Sequence, residues 1–150
     1  MIYITIIIVV VILALLFIVF KNSDLSRQMN KLADDAVTDA KINHSYSLDM
    51  TEASLESVNL ILQKLHNKNT NDVKKLAMMY GAYIGKIVIN LYNDGVWLKN
   101  HPSIGRNTYP IKFSNGHYAL PIMWARDHLS NGEDNNILYR FISLKHSHEG

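Results

Sequence analysis

MIYITIIIVVVILALLFIVF, residues 1–20, is the stretch whose reading decides the architecture. It holds no charged residue, no proline and no glycine, and its only polar groups are Tyr3 and Thr5. At ~1.5 Å rise per residue, a helix of this length matches the roughly 30 Å hydrocarbon core of a bilayer. Such a helix satisfies its own backbone hydrogen bonds in lipid. A core helix apolar on every face would need burial all round, which the rest of the chain could hardly supply. The stretch therefore predicts a single membrane-spanning anchor over 1–20. A cleaved signal peptide fits less well, because no Lys or Arg precedes the run and Leu16-Phe17-Ile18-Val19-Phe20 contains no small-residue cleavage site. Lys21, Arg27 and Lys31 follow it, and basic residues near a span are retained on the cytoplasmic side. The expectation is a single-pass inner-membrane protein with its larger part in the cytoplasm, the periplasmic side being the alternative.

Beyond residue 20 the chain carries 15 basic and 13 acidic side chains, a formal net charge of +2. So small and evenly spread a charge argues against nucleic-acid binding, which needs a basic stripe or cluster. The absence of cysteine excludes disulfides, Cys-ligated zinc and thiol catalysis.

Residues 21–46 read as a helical stalk. Leu25, Met29, Leu32, Ala36 and Ala40 recur at helical spacing and share one face. One reading is a short parallel coiled coil, giving a weak homodimer through the stalk. The preferred one is a polar spacer whose stripe packs on a membrane surface or on its own domain, since two heptads containing alanine hold a dimer poorly.

A folded domain is expected over 47–144. Asp49 and Glu52 resemble a capping box ahead of the helical pattern Leu55, Val58, Ile61, Leu62 and Leu65. Asn67–Asn71 is a loop, and a second helix is predicted from Asp72 to Tyr92, stopped by Asn93-Asp94-Gly95. Its Lys86 and amphipathic pattern suit a core helix better than a second span, and Gly81 and Gly85 predict close backbone packing. Val96-Trp97-Leu98 is short and β-prone, residues 101–107 form a loop, and Tyr109, Ile111 and Phe113 alternate. Asn115-Gly116 suits a type I′ hairpin turn leading back through His117–Leu120. Pro121 opens a further helix at its first position. A final element over 134–144 reads as helix, with strand as the alternative, and 145–150 as a flexible tail. The fold class expected is α+β: an N-terminal membrane helix, a stalk, two helices, a small antiparallel hairpin sheet, then one or two short helices.

The chemistry on offer is sparse. Of seven histidines only His146 and His148 are close in sequence, whereas zinc takes three or four convergent ligands. His101, His117 and His128 lie on separate elements and are the candidates for a small metal-dependent hydrolase, the minor alternative. Ser103 and Ser114 lack a nucleophile elbow, and Gly81-x-x-x-Gly85-Lys86 is only half of a phosphate-binding loop. No catalytic residue, cofactor or metal is expected. Loops on a rigid scaffold are where binding resides, so the candidate partner-binding residues are His101, Arg106, Asn107, Asn115 and His117.

The run Tyr80-Gly81-Ala82-Tyr83-Ile84-Gly85, with Trp97, Tyr109-Pro110, Gly116, Pro121 and Asn131-Gly132, resembles a small uncharacterised bacterial domain. Members of that group resemble non-catalytic binding proteins, and some similar domains act as immunity proteins in toxin systems. The resemblance covers about 70–144 and supplies no catalytic residue. It implies a protein partner and an adaptor or immunity role at the membrane, with a subunit of a larger membrane assembly as the alternative.

Overall fold

The computed structural model describes the backbone of residues 2–149 and the side chains of 6–15 and 23–148. The chain is mostly helical. In order come α1 (Ile2–His44), α2 (Ser54–Asn67), α3 (Val73–Tyr92), β1 (Val96–Trp97), β2 (Ile111–Lys112), β3 (Tyr118–Ala119), α4 (Pro121–Asn131), a 3-10 turn at Gly132–Asn135 and α5 (Ile137–Glu149). The three strands form one antiparallel sheet in chain order, with Val96 opposite Lys112, Trp97 opposite Ile111, Ile111 opposite Ala119 and Lys112 opposite Tyr118.

Two expectations are corrected here. Among the described residues no helix is long and apolar enough to cross a membrane. The side chains of 1–5 and 16–20, part of the expected anchor, lie outside the described residues. The membrane-spanning anchor over 1–20, and the single-pass inner-membrane placement built on it, fall with this finding. The α+β class gives way to a helical bundle carrying a minimal sheet. Its strands are two residues each, because Pro110 and Pro121 bound the β2–β3 hairpin and cannot donate to a ladder.

α3 is the axis of the core. Leu76 to Val88 is buried almost without interruption, because α1, α4 and the sheet cover it from different sides. Helix α1 runs antiparallel to it: the Tyr80 hydroxyl donates to Asp39 Oδ2 at 2.6 Å, and Lys86 Nζ lies 3.2 Å from Asp34 Oδ1. Met29, Ala33, Ala36 and Ala40 form the buried seam on α1, with Leu25, Leu32 and Val37 beside them. The apolar stripe of residues 25–40 is thus covered by α3, and its alanines let the two helices approach closely.

On the opposite side the glycines set the distance. A Cβ on Gly81 would lie 2.5 Å from Ile122 Cα and 2.9 Å from Ile122 N, so α4 crosses α3 backbone to backbone. A Cβ on Gly85 would fall inside the Trp97 ring. The close packing predicted for this pair is the arrangement found. Asn93 closes α3 in the left-handed conformation (φ 47°), and Pro121 opens α4 at its first turn.

Local chemistry departs from expectation at three places. Asp49 Oδ1 accepts from the Thr51 amide (3.1 Å) and hydroxyl (2.6 Å), forming a turn, and α2 starts at Ser54 without a side-chain cap, so no capping box forms. The hairpin is closed by Gly116 N–H to Phe113 O (3.0 Å) with positive φ at Gly116 but not at Asn115. That is a type I turn followed by a glycine bulge, not the type I′ turn, which needs positive φ at both central residues. Finally, α5 continues to Glu149 through the stretch expected as a tail, and the His148 ring packs 4.1 Å from Tyr92 and 4.8 Å from Phe113.

Candidate functional site

The connection from β1 to β2, residues 98–110, is long but tightly tied. His101 and Gly105 exchange backbone hydrogen bonds at 3.0 and 3.1 Å. His101 Nδ1 accepts from the Ser103 and Ile104 amides at 3.1 and 3.2 Å, so the neutral ring carries its proton on Nε2. Thr108 Oγ1 accepts from the His101 amide (3.0 Å) and donates to Gly105 O (3.1 Å). Asn100 Oδ1 takes the Asn107 amide at 2.9 Å, and the Tyr109 amide reaches Lys99 O at 3.2 Å. The His101 ring rests edge-on against Tyr118, 4.4 Å between centroids. Held this way, the loop turns through two left-handed residues, Asn107 (φ 56°) and Tyr109 (φ 46°). For a bulky side chain that conformation costs on the order of 1–3 kcal/mol and persists only where surroundings impose it.

This loop forms one wall of a groove of about 650 Å³. Val73, Lys74, Ala77 and Met78 of α3 and Ile122 and Arg126 of α4 form the rest, with Asn107 and Tyr109 contributed by the loop. The floor is apolar and the rim cationic. Arg126 Nη2 lies 3.2 Å from Asp127 Oδ1, and the same carboxylate lies 3.8 Å from Arg140. One acid therefore serves two guanidiniums.

The five residues picked from the sequence do not gather into one patch. Asn107 lines the groove, and Arg106 beside it is exposed. His101 is spent inside the loop. Asn115 sits at the other end of the sheet, where its Oδ1 accepts the His117 amide at 3.0 Å and its Nδ2 lies 3.4 Å from His148 Nδ1. His117 is exposed there. The hairpin tip is anchored by Asp94, whose Oδ2 accepts from the Ser114 amide (2.9 Å) and hydroxyl (2.8 Å). Sequence reasoning missed Lys74, Met78, Tyr109, Ile122 and Arg126. The alternation of Tyr109, Ile111 and Phe113 reads as one face of a strand, which hides the place of Tyr109 in the groove wall.

Among the described residues, the ionisable groups with shifted affinities are engaged in structural work, away from the groove. The Ser114 bonds hold Asp94 below the usual carboxylate range, and the Thr51 bonds do the same for Asp49. Burial, reinforced by Asp39, pushes the Tyr80 phenol up. Burial also raises Tyr83, whose hydroxyl accepts from the Met50 amide (2.9 Å) and meets Ser54 Oγ at 2.6 Å. Burial pushes His44 and His128 down. His128 is wholly buried beside the α4 C-terminus with Nδ1 3.2 Å from Asn135 O. His101, on the loop, and His117, near the hairpin tip, are on other elements, and among the described residues no group of three or more His, Asp or Glu side chains could hold a metal.

The chain matches no protein-family model, no curated protein and no solved structure.

Proposed function

We propose that this chain is a non-catalytic protein-binding domain whose partner docks where loop 98–110 meets the first turns of α3 and α4. The observation that carries this reading is the groove there: Ala77 and Ile122 are buried and Val73 and Met78 half-buried in its lining, while Lys74, Asn107 and Arg126 stand exposed. Such a composition, at a volume within the roughly 300–1,000 Å³ usual for ligand sites, suits recognition. The hydrogen bonds that fix the loop support it further, because a preordered surface loses less entropy on binding. The resemblance to immunity-like domains favours an adaptor or immunity role, in which the partner would be an enzyme held inactive or in place.

The test is photo-crosslinking in cells from the full chain, with a photoreactive residue at Asn107 and, as a control, at the exposed Lys64 on α2. One protein captured in high yield from Asn107 and not from Lys64 is the expected result. Equal, diffuse capture from both positions would refute a docking face at the loop.

A further inference from the structure

Resting on that binding reading, the geometry points to a more specific occupant: an acidic polypeptide segment with an apolar anchor, lying along a track that crosses the groove. The groove does not stand alone. A second depression of about 490 Å³ shares Tyr109 with it and continues over Lys99 and Asn100 to Asp24, Leu25 and Gln28 of α1. A third, of about 370 Å³, shares Lys74 and Met78 and extends over Asn71, Asp72 and Lys75. The three are therefore neighbours, sharing Lys74 and Met78 on one side and Tyr109 on the other. Neighbouring depressions of this kind accommodate an extended chain or one helical face better than a compact small molecule.

Charge selects the class of chain. Lys74, Lys75, Lys99 and Arg126 line the track against Asp24 and Asp72. Asp24 is already paired with Arg27 at 3.2 Å, and Arg126 competes with Arg140 for Asp127. The balance along the track is cationic, and an acidic partner complements it, speeding encounter and fixing register. The floor between Met78 and Ile122 takes the anchor, and the unbranched methionine adapts to either an aliphatic or an aromatic side chain. A single-stranded nucleic acid would also meet a basic track with an aromatic residue, but it has no use for an apolar floor, and the whole chain carries only +2.

The experiment is selection of a displayed random-peptide library on the immobilised full chain, followed by anisotropy titration of the enriched peptides. Enrichment of Asp/Glu-rich peptides bearing Leu, Ile or Phe is expected, with affinity falling as salt rises. Lys74→Glu and Arg126→Glu should each weaken binding by about tenfold, the loss of one rim attraction plus the repulsion replacing it, whereas Lys64→Glu should not. If either reversal lowers the urea midpoint, Lys74→Gln and Arg126→Gln supply the milder comparison. No enrichment, enrichment of neutral or basic peptides, indifference to the rim substitutions, or tighter binding of an oligodeoxythymidine would each overturn the proposal. If peptides of the wrong class are enriched while Asn107 still crosslinks to a defined protein, the acidic occupant fails and the binding domain stands. Loss of both would remove the underlying reading as well.

Discussion

Replacing Gly81 with alanine sets two effects of opposite sign against each other. Inside an exposed helix the substitution would stabilise by about 1 kcal/mol through helix propensity. Here the added methyl would sit 2.5 Å from Ile122 Cα, 2.9 Å from Ile122 N and 3.0 Å from Ile122 Cγ1. Carbon atoms pack at about 3.5–4.0 Å, so α4 would have to retreat by about 1 Å along its contact with α3. Overpacking of a tight core costs typically 1–3 kcal/mol and sometimes more. The upper part of that range applies when the obstacle is main chain, which cannot rotate away. The expected net destabilisation of Gly81→Ala is about 2 kcal/mol, or a fall of ~4–8 °C in Tm for a chain of this size. Urea unfolding of the full chain followed by far-ultraviolet circular dichroism would read it as a lower midpoint at constant slope. The matching experiment at Gly85 separates backbone from side-chain obstruction. There the obstacle is the Trp97 ring, with Ile111 Cδ1 at 3.0 Å, so trimming Trp97 to Leu should recover part of the Gly85→Ala loss in a double-mutant cycle. Ile122→Ala should recover little of the Gly81→Ala loss. A Gly81→Ala protein as stable as the parent would refute the argument, because α4 would then be free to move at no cost.

Three further outcomes follow from the polar groups. Tyr83→Phe removes the hydroxyl shared by the Met50 amide and Ser54, and should cost about 1–3 kcal/mol in urea unfolding, the usual penalty for buried polar groups left unmatched; a change within a few tenths would contradict the assigned network. His44 and His128 are held below their ordinary affinity for protons, so the unfolded chain takes up protons that the folded chain does not. Their contribution leaves stability unchanged above the unfolded histidine value near 6.5 and erodes it as pH falls below, by at most about 1.4 kcal/mol per pH unit for each group. His128→Gln should flatten part of that slope between neutral and mildly acidic pH, and an unchanged profile would show that folding leaves the proton affinity of His128 unaltered. Asp94→Ala should speed hydrogen exchange at the Ser114 amide and leave exchange in α2 unaltered; protection unchanged at Ser114 would show that the hairpin tip holds without the carboxylate.

The local signals in this chain carried well where one residue type has one physical use. Asn93 adopts the left-handed cap, Pro121 begins a helix, and the α3 pattern from Val73 to Tyr92 is read almost to the residue. What stayed open, or failed, depended on partners remote in sequence; the packing of the stripe Leu25–Ala40 on α3 is one of the alternatives expected for it. The stripe Leu25–Ala40 looks the same whether it faces lipid, a second copy or α3, and only tertiary packing decides. Tyr109 precedes a proline, which favours an extended backbone, yet the loop's hydrogen bonds hold it at φ 46°. The groove was invisible for the same reason: Lys74, Tyr109 and Arg126 are separated by long stretches of chain and meet only because α4 crosses α3 at Gly81. The apolar run at the N-terminus shows the opposite hazard, in which a compositional pattern was given a location that the described helix does not carry.

The main-chain contact between Gly81 and Ile122 also bears on how freely this surface can vary. Because Gly81 and Ile122 meet largely through main-chain atoms, the spacing of α3 and α4 at that point is set by backbone and not by the side chains of Met78, Lys74 and Arg126. Met78, Lys74 and Arg126 can be exchanged over generations, or in the laboratory, without the two helices drifting together or apart. Recognition can then be rewritten one lining position at a time while the frame stays fixed. That separation of frame from lining makes the α3–α4 face a natural place to engineer altered specificity, with Gly81 the position to leave untouched.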